Sequence, residues 1–319
     1  MNKSTVFVAA LGFGLSAALA QAQSYPNKPV RLVVPFPPGG TTDLVARIVQ
    51  PKLSENLGQH VIVDNRGGAG GSIAAAETAR SAPDGYTLQI AFDTHAVNHH
   101  LYKQAPDVFK TFEHISLMTT TPHMLVASSA FAPSTLKDLI AAARSAPGTV
   151  TYGSVGAGSS NHLGSLLLSQ QAGVTMNHIP YKGAGPLVQA MLGSQVNIAV
   201  IASPVILPHA KAGKVKAIAA GGRQRLAQMP DVPTLAETYP GMELVSWIGL
   251  VAPTGMPRDV FGRIHKELLR TLAVPEVRQR LTEAGFDVVG SSPDEFLKFV
   301  QGESDKLGKL IHDNGIKVE

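Results

Sequence analysis

The sequence predicts an α/β fold arranged as two lobes. Three observations carry that expectation. Short apolar, β-branched runs alternate with segments of helical period, and the alternation begins afresh near the middle of the chain. A late apolar run then leads into a C-terminal segment that has to return to complete the first unit.

The run Val30 to Val34 (VRLVV) reads as a buried strand. From Asp43 the apolar residues Leu44, Val45, Ile48, Leu53 and Leu57 share one helical face. Thr41 or Thr42 is expected as the N-cap, and Pro51 should kink the helix. HVIVD is the next strand, GGSIAAAETARSA the next helix, and YTLQIAF a third strand after the turn PDG. This βαβαβ order implies a parallel sheet covered by helices on both faces. The second unit runs from HMLVAS through a helix at Ser134 to Ser145, TVTYGS, a helix from Ser159, VTMNHI, a helix from Gly185, VNIAVIA and VKAIAAGG. SWIGLVAP (Ser246 to Pro253) follows, then a helix from Pro257, the strand FDVVG and a long amphipathic helix from Pro293. No repeat or low-complexity linker separates the units, so crossing strands should join them. Residues 23–123 and 248–319 are assigned to lobe 1 and residues 124–247 to lobe 2.

A chain of 319 residues with 44% hydrophobic and 16% charged residues is globular. Its net charge of +4 is small, and no stripe of Lys and Arg marks a nucleic-acid footprint. There is no cysteine, which removes disulfides and thiolate chemistry. The first residues, MNKSTVFVAALGFGLSAALAQAQ, have Lys3, an apolar small-residue stretch and an ALA site at Ala18 to Ala20. They read as a signal peptide at 1–22, cleaved near Ala20 or Ala22 on export.

Four glycine-rich stretches follow expected strands: PPGGTTD, NRGGAGGS, YGSVGAGSSNH and YKGAGP. In open α/β sheets, ligands bind beyond the carboxyl ends of strands. A helix N-terminus there offers unpaired N–H groups and the positive end of its dipole. Such loops suit an anion and need no cationic side chain. Any one of them is equally an ordinary turn; four across two lobes favour the anion reading. No phosphate-loop motif is present, and GSVGAG has the wrong spacing for a dinucleotide fingerprint.

These motifs, in this order, resemble the Bug family, also called the TctC family, of extracytoplasmic solute receptors for tripartite tricarboxylate transporters. The resemblance runs from YPNKPVRLVVPFPPGGTTDLVAR through VIVDNRGGAGGSIAAAETARSAPDGYTL, THAVNHHLY, TYGSVGAGSSNHL and IPYKGAGP to WIGLVAPTGMP. It implies a type 2 periplasmic binding-protein fold, whose two lobes close by a hinge on a small carboxylate in the cleft between them. Carried over position by position, it makes Phe36 a cleft wall, Pro38 a binding position, and Gly39, Gly40 and Thr42 anion donors. Asp43 then supports the loop. In the second lobe it points to Ser154, Gly156, Gly158 and Ser159, with Tyr181 and Gly183 in the aromatic-plus-glycine loop. Phe92 and His95 join Phe36 as walls suited to a flat acid. Trp247 has two readings, a packed residue on a crossing strand, which is favoured, and a stacking surface for the ligand.

One departure from the family narrows the ligand. Many relatives carry an Asp after the strand VNIAVIA, where this chain reads Ile201, Ala202, Ser203 and Pro204. Ser203 is kept as a binding position, and the missing acid disfavours an α-amino group. His95, His99 and His100 are the one metal-like cluster. They lack the further convergent ligands a zinc site requires, so no metal is expected, and His99 and His100 are read as exposed. The spacing G-x-S-x-G is absent, so no catalytic residues are assigned. The expectation is a periplasmic, monomeric receptor with no cofactor. It would bind a small carboxylate, favoured as a dicarboxylate, and hand it to membrane transporter subunits. An exported enzyme acting on small acids and a sensory receptor of the same fold are the alternatives.

Overall fold

The computed structural model describes residues 25–316, so the expected signal peptide at 1–22 lies outside the described residues. The first lobe opens with β1 (Val30–Val34), α1 (Thr41–Leu57), β2 (Val61–Asn65), α2 (Ser72–Ala79), β3 (Thr87–Phe92), α3 (Asp93–Leu101) and α4 (Val108–Thr111). Then β4 (Phe112–Ser128) leads into α5 (Leu136–Ser145), β5 (Thr151–Ser154), α6 (Ser160–Ala172), β6 (Asn177–Pro180) and α7 (Ala184–Leu192). The second lobe continues with β7 (Ile198–Ala202), α8 (Ser203–Lys211) and β8 (Val215–Ala220). The chain returns through β9 (Val245–Pro253) to α9 (Arg258–Ala273), α10 (Pro275–Glu283), β10 (Asp287–Val288) and α11 (Pro293–Asp313).

The strands form one path, β2-β1-β3-β9-β4-β7-β5-β6, with β8 and β10 also on β4. Strands β1, β2 and β3 are parallel, as are β5, β6 and β7, so each lobe is built from the crossovers the sequence implied. β9 lies antiparallel between β3 and β4. Each lobe has its own apolar interior. Val30, Leu32, Ile90, Leu250, Leu268 and Phe286 fill one side of the first sheet, while Ala91, Val251 and Phe296 fill the other. Leu125, Leu139, Ile198 and Leu235 do the same in the second lobe, with Met124, Leu187 and Ile201 on its opposite face. Burying each large side chain of this kind contributes about 1.5–3 kcal/mol.

β4 joins the two halves. Over its 17 residues, Phe112 to Pro122 pair with β9 and His123 to Ala127 pair with β7. The sequence pattern suggested a strand only from His123, because Thr119 to Thr121 and Pro122 hide the continuity. Pro122 is tolerated since it stands where the pairing partner changes, opposite Val245 at the start of β9. Four helices have no counterpart among the expected elements: α3, α4, α8 and α10. Pro204 and Pro208 disguise α8, and Pro275 begins α10 as a separate helix.

The start of α1 differs from expectation. Its N-cap is Gly40, not Thr41 or Thr42, and no side chain caps it. The first intrahelical bond runs from the Leu44 N–H to the Gly40 carbonyl, 2.9 Å. His95, His99 and His100 lie on the helix α3, in a stretch to which no element was assigned.

Candidate functional site

The glycine stretches lie at the carboxyl ends of β1, β2, β5 and β6, and the first and fourth meet across the lobes. A methyl added at Gly40 would stand 3.9 Å from Ala184 Cβ, and one at Gly183 would stand 3.4 Å from Pro37 Cδ. The N-termini of α1 and α7 therefore face one another. Neither N-cap, Gly40 or Gly183, carries a side-chain hydrogen bond to its helix. The first-turn N–H groups of both helices keep the donors and positive dipole ends that an anion uses. Beside them, Phe36, just beyond β1, and Phe92, the last residue of β3, meet edge to face, with ring centroids 5.3 Å apart. Pro38 and Gly39 are exposed at the tip of the loop.

The charges around this loop are already engaged. Asp43 Oδ2 accepts the Gly39 N–H at 3.0 Å, and its carboxylate also binds Arg47 at 3.0 Å and Asn65 at 3.1 Å. Burial pushes this carboxyl up, but the bonds from Arg47, Gly39 and Asn65 together hold it below the ordinary range. Arg66 is tied to Asp64 Oδ2 at 3.1 Å. Asp43 thus fixes the loop from behind.

In the second lobe the expected donors are turned inward. Ser154 Oγ lies 2.6 Å from His178 Nε2 and accepts the Gly156 N–H at 3.2 Å. The Gly158 N–H donates to His162 Nδ1 at 3.0 Å. Ser159 is the N-cap of α6, accepting the His162 N–H at 3.3 Å and donating to the Gly156 carbonyl at 2.7 Å. His162 and His178 stack with centroids 3.9 Å apart, and burial lowers their pKa values to about 3 and about 4. Both rings are neutral near pH 7, as His162 Nδ1 must be to accept a hydrogen bond. These side chains shape the loop, and the hydroxyls of Ser154 and Ser159 and the Gly158 N–H are engaged within it. Tyr181 lays its ring over Gly153, 3.4 Å from where a Cβ would stand.

Two expected site residues, Ser203 and Trp247, are not brought to these loops, while His95 lines a small pocket with Pro35, Gly71 and Phe92 behind them. His95 is buried in α3, edge to face with Phe112 and His114 at 5.0 and 5.7 Å, and burial drives its pKa well below the ordinary value. Ser203 Oγ lies 3.1 Å from Thr121 Oγ1, joining the start of α8 to the crossing strand. Trp247 is 1% exposed and packs edge to face on Phe296 and Phe299, 5.7 Å from each. His99 is half-buried rather than exposed, because its ring packs on Phe109. No group of His, Cys, Asp and Glu among the described residues has the arrangement to hold a metal ion.

One polar cluster had no counterpart in the sequence reading. Asp93, at the end of β3, accepts the Ser246 hydroxyl at 2.8 Å and the Trp247 N–H at 2.9 Å. Its burial raises the carboxyl to about 7, against the pull of these donors and of Ser160. The only sequence signal was an acid directly after an apolar strand.

The family model described as tripartite tricarboxylate transporter family receptor, TctC, matches residues 45–316. Among similar solved structures is Rpa4515 of R. palustris with adipate. It is 30% identical, with 92% of this chain and 100% of that one covered and a TM-score of 0.88. The periplasmic binding protein BugD is 33% identical, with 92% and 100% covered and a TM-score of 0.87. MatC from Rhodopseudomonas palustris with bound malate is 32% identical, with 90% and 100% covered and a TM-score of 0.84.

Proposed function

The chain belongs to the TctC family of tripartite tricarboxylate transporter receptors, which are periplasmic solute-binding proteins, and from that premise we propose what it carries and to whom. It captures a small dicarboxylate without an amino group, aliphatic or aromatic, and delivers it unchanged to the membrane subunits of a tripartite tricarboxylate-type transporter. It works as a monomer. The observation that carries this reading is the pair of uncapped helix N-termini, α1 and α7, facing each other across the lobes. One carboxylate would take the first-turn N–H groups behind Gly39 and Gly40, and Thr42 would add a hydroxyl. The second would take donors from the loops at Ser154 to Ser159 and Tyr181 to Gly183, with Phe36 and Phe92 against the body of the acid. Adipate and malate, bound by two similar proteins, belong to the same class.

The preference against an amino group follows from the acids. Asp43 is held by Arg47, Gly39 and Asn65, and Ser203 stands where an acid would be needed. An ammonium buried here would lack a partner. Closure is a hinge motion about the two crossing strands, with one lobe taking the anion first and the other completing its bonds.

The test is calorimetric titration with adipate, malate and glutamate, with the acids analysed after incubation. A dicarboxylate should bind and be recovered intact, and glutamate should bind at least about tenfold more weakly than the better of the two. Conversion of the acid would show an enzyme, and tight glutamate binding would overturn the ligand class.

A further inference from the structure

A second cavity, of about 450 Å³, opens beside the crossing strands. Of its lining residues only Ser160 belongs to the four glycine stretches, so it is a separate chamber from the one between α1 and α7. Its walls come from three places: Leu163 and Leu167 on α6, Leu244 and Val245 at the return crossing, and Phe299 and Leu307 on α11. The volume is that of a small-molecule site.

The charges around it are arranged by depth. Glu243 and Glu303 are 33% and 22% exposed, while Arg223 and Lys306 at the mouth are 83% and 59% exposed. Glu243 is compensated, since Arg223 Nε binds its two oxygens at 2.8 and 2.9 Å. Glu303 is not: its one ion pair among the described residues, to Lys306, is 3.9 Å long. Burial raises its pKa, and Asp93 stands near enough to be raised by it in turn. A carboxylate on an apolar wall with so weak a partner is costly unless something else pairs with it.

We propose that this cavity is a second ligand site, for a small amphipathic amine whose ammonium pairs with Glu303 and whose apolar body lies against Leu163, Leu167, Phe299 and Leu307. An organic anion is disfavoured there by the same carboxylate, and the proposal stands independently of what the glycine loops bind.

The probe is phenethylamine, titrated against the full mature chain, with phenethyl alcohol and hydrocinnamate as the neutral and anionic counterparts. The amine should bind at least about tenfold more tightly than the alcohol, and hydrocinnamate no better than the alcohol. Glu303→Gln should bring the amine and the alcohol to within about threefold of each other, because the charge-assisted bond is gone. Leu307→Trp should abolish amine binding by filling the cavity while adipate or malate binding is kept. Leu167→Trp does the same from the other lobe, and serves if the first variant unfolds early in a thermal melt. Amine binding no tighter than that of the alcohol would overturn the proposal. So would undiminished amine binding in a folded Trp variant, because the ligand would then sit elsewhere.

Discussion

Ser160 Oγ, on the first turn of α6 in the second lobe, lies 3.2 Å from His123 Nε2 on the strand that crosses between the lobes. The same serine favours the charged form of Asp93, which belongs to the first lobe. A short polar chain therefore spans the junction, from the Trp247 N–H and Ser246 through Asp93 and Ser160 to His123. Burial lowers the His123 pKa to about 4, so the ring is neutral near pH 7 beside the Ser160 hydroxyl. Hydrogen bonds made in so dry a place fix geometry strongly and penalise any unpaired charge.

Stability should depend on pH in two opposed ways. His114, His123, His162 and His178 have pKa values lowered to about 4, 4, 3 and 4. Unfolding lets each take a proton near 6.5, so their contribution is present above that pH and is lost as pH falls toward 4. Asp93 is raised to about 7, so its proton is held in the fold and released on unfolding; its contribution is lost as pH rises from about 4 toward 7. The histidines outnumber it, so the protein should lose stability on acidification below pH 6.5. Asp93→Asn removes the opposing contribution. The stability of the variant relative to wild type should rise between pH 4 and 7 by on the order of 2–4 kcal/mol. Denaturant melts at a series of pH values measure this, and a difference independent of pH would show that Asp93 is ionised in the fold throughout.

The contact of Gly158 with Leu101 gives a second expectation. Gly158 has φ +76, and a Cβ there would overlap Leu101 Cδ1 of α3, in the opposite lobe. Gly158→Ala should cost about 1–2 kcal/mol in backbone strain and should also hold the lobes apart, weakening binding of adipate or malate by about tenfold or more. Leu101→Ala clears the space, so the double variant should recover much of the lost affinity although the strain stays. Additive losses in that cycle would mean that the contact does not govern closure.

The fold was legible where one segment carries its own signal. Val30–Val34 and Thr87–Phe92 are β-branched runs bounded by Pro, Gly and Asp, and α11 announces itself by Ser292, Pro293 and Glu295 at its start, which form a capping box. Pro122 concealed the first half of β4, and its tolerance depends on a strand more than a hundred positions later. The site was legible only as loops. Which donors of YGSVGAGSSNH stay free depends on His178, whose Nε2 hydrogen-bonds the Ser154 hydroxyl, and on His162, whose Nδ1 accepts the Gly158 N–H. Trp247 carries chemistry that suits a ligand, yet its strand register turns it into the apolar interior.

Cationic side chains should matter little to ligand binding. Arg66 is half-exposed and spent on Asp64, while Lys182 is exposed at the rim of the second lobe. Replacing either by Ala should change affinity for the bound acid by less than about tenfold, since exposed charge pairs contribute about 0–1 kcal/mol. A hundredfold loss at either position in a calorimetric titration would replace the main-chain account with an ion pair.

Neighbouring glycines in PPGGTTD should fail differently when substituted, because their constraints differ. Gly39 has φ +89 with open space around it, so Gly39→Val strains the backbone in both open and closed forms. It should cost about 1–3 kcal/mol of stability and shift the loop that donates to Asp43. Gly40 has φ −89, a conformation any residue adopts. A Cβ there would sit 3.9 Å from Ala184 Cβ, an ordinary contact. The methyl groups of Val reach about 1.5 Å further, into the gap between α1 and α7. Gly40→Val should therefore leave the melt of the unliganded protein nearly unchanged, with a loss no greater than about 1 kcal/mol. Ligand-induced stabilisation should disappear, because the lobes cannot close while a side chain stands between the two helix N-termini. Thermal melts with and without adipate or malate, run on both variants beside wild type, distinguish strain from obstruction. If Gly40→Val binds at full strength, the facing helix ends do not enclose the acid, and the loop is only a turn.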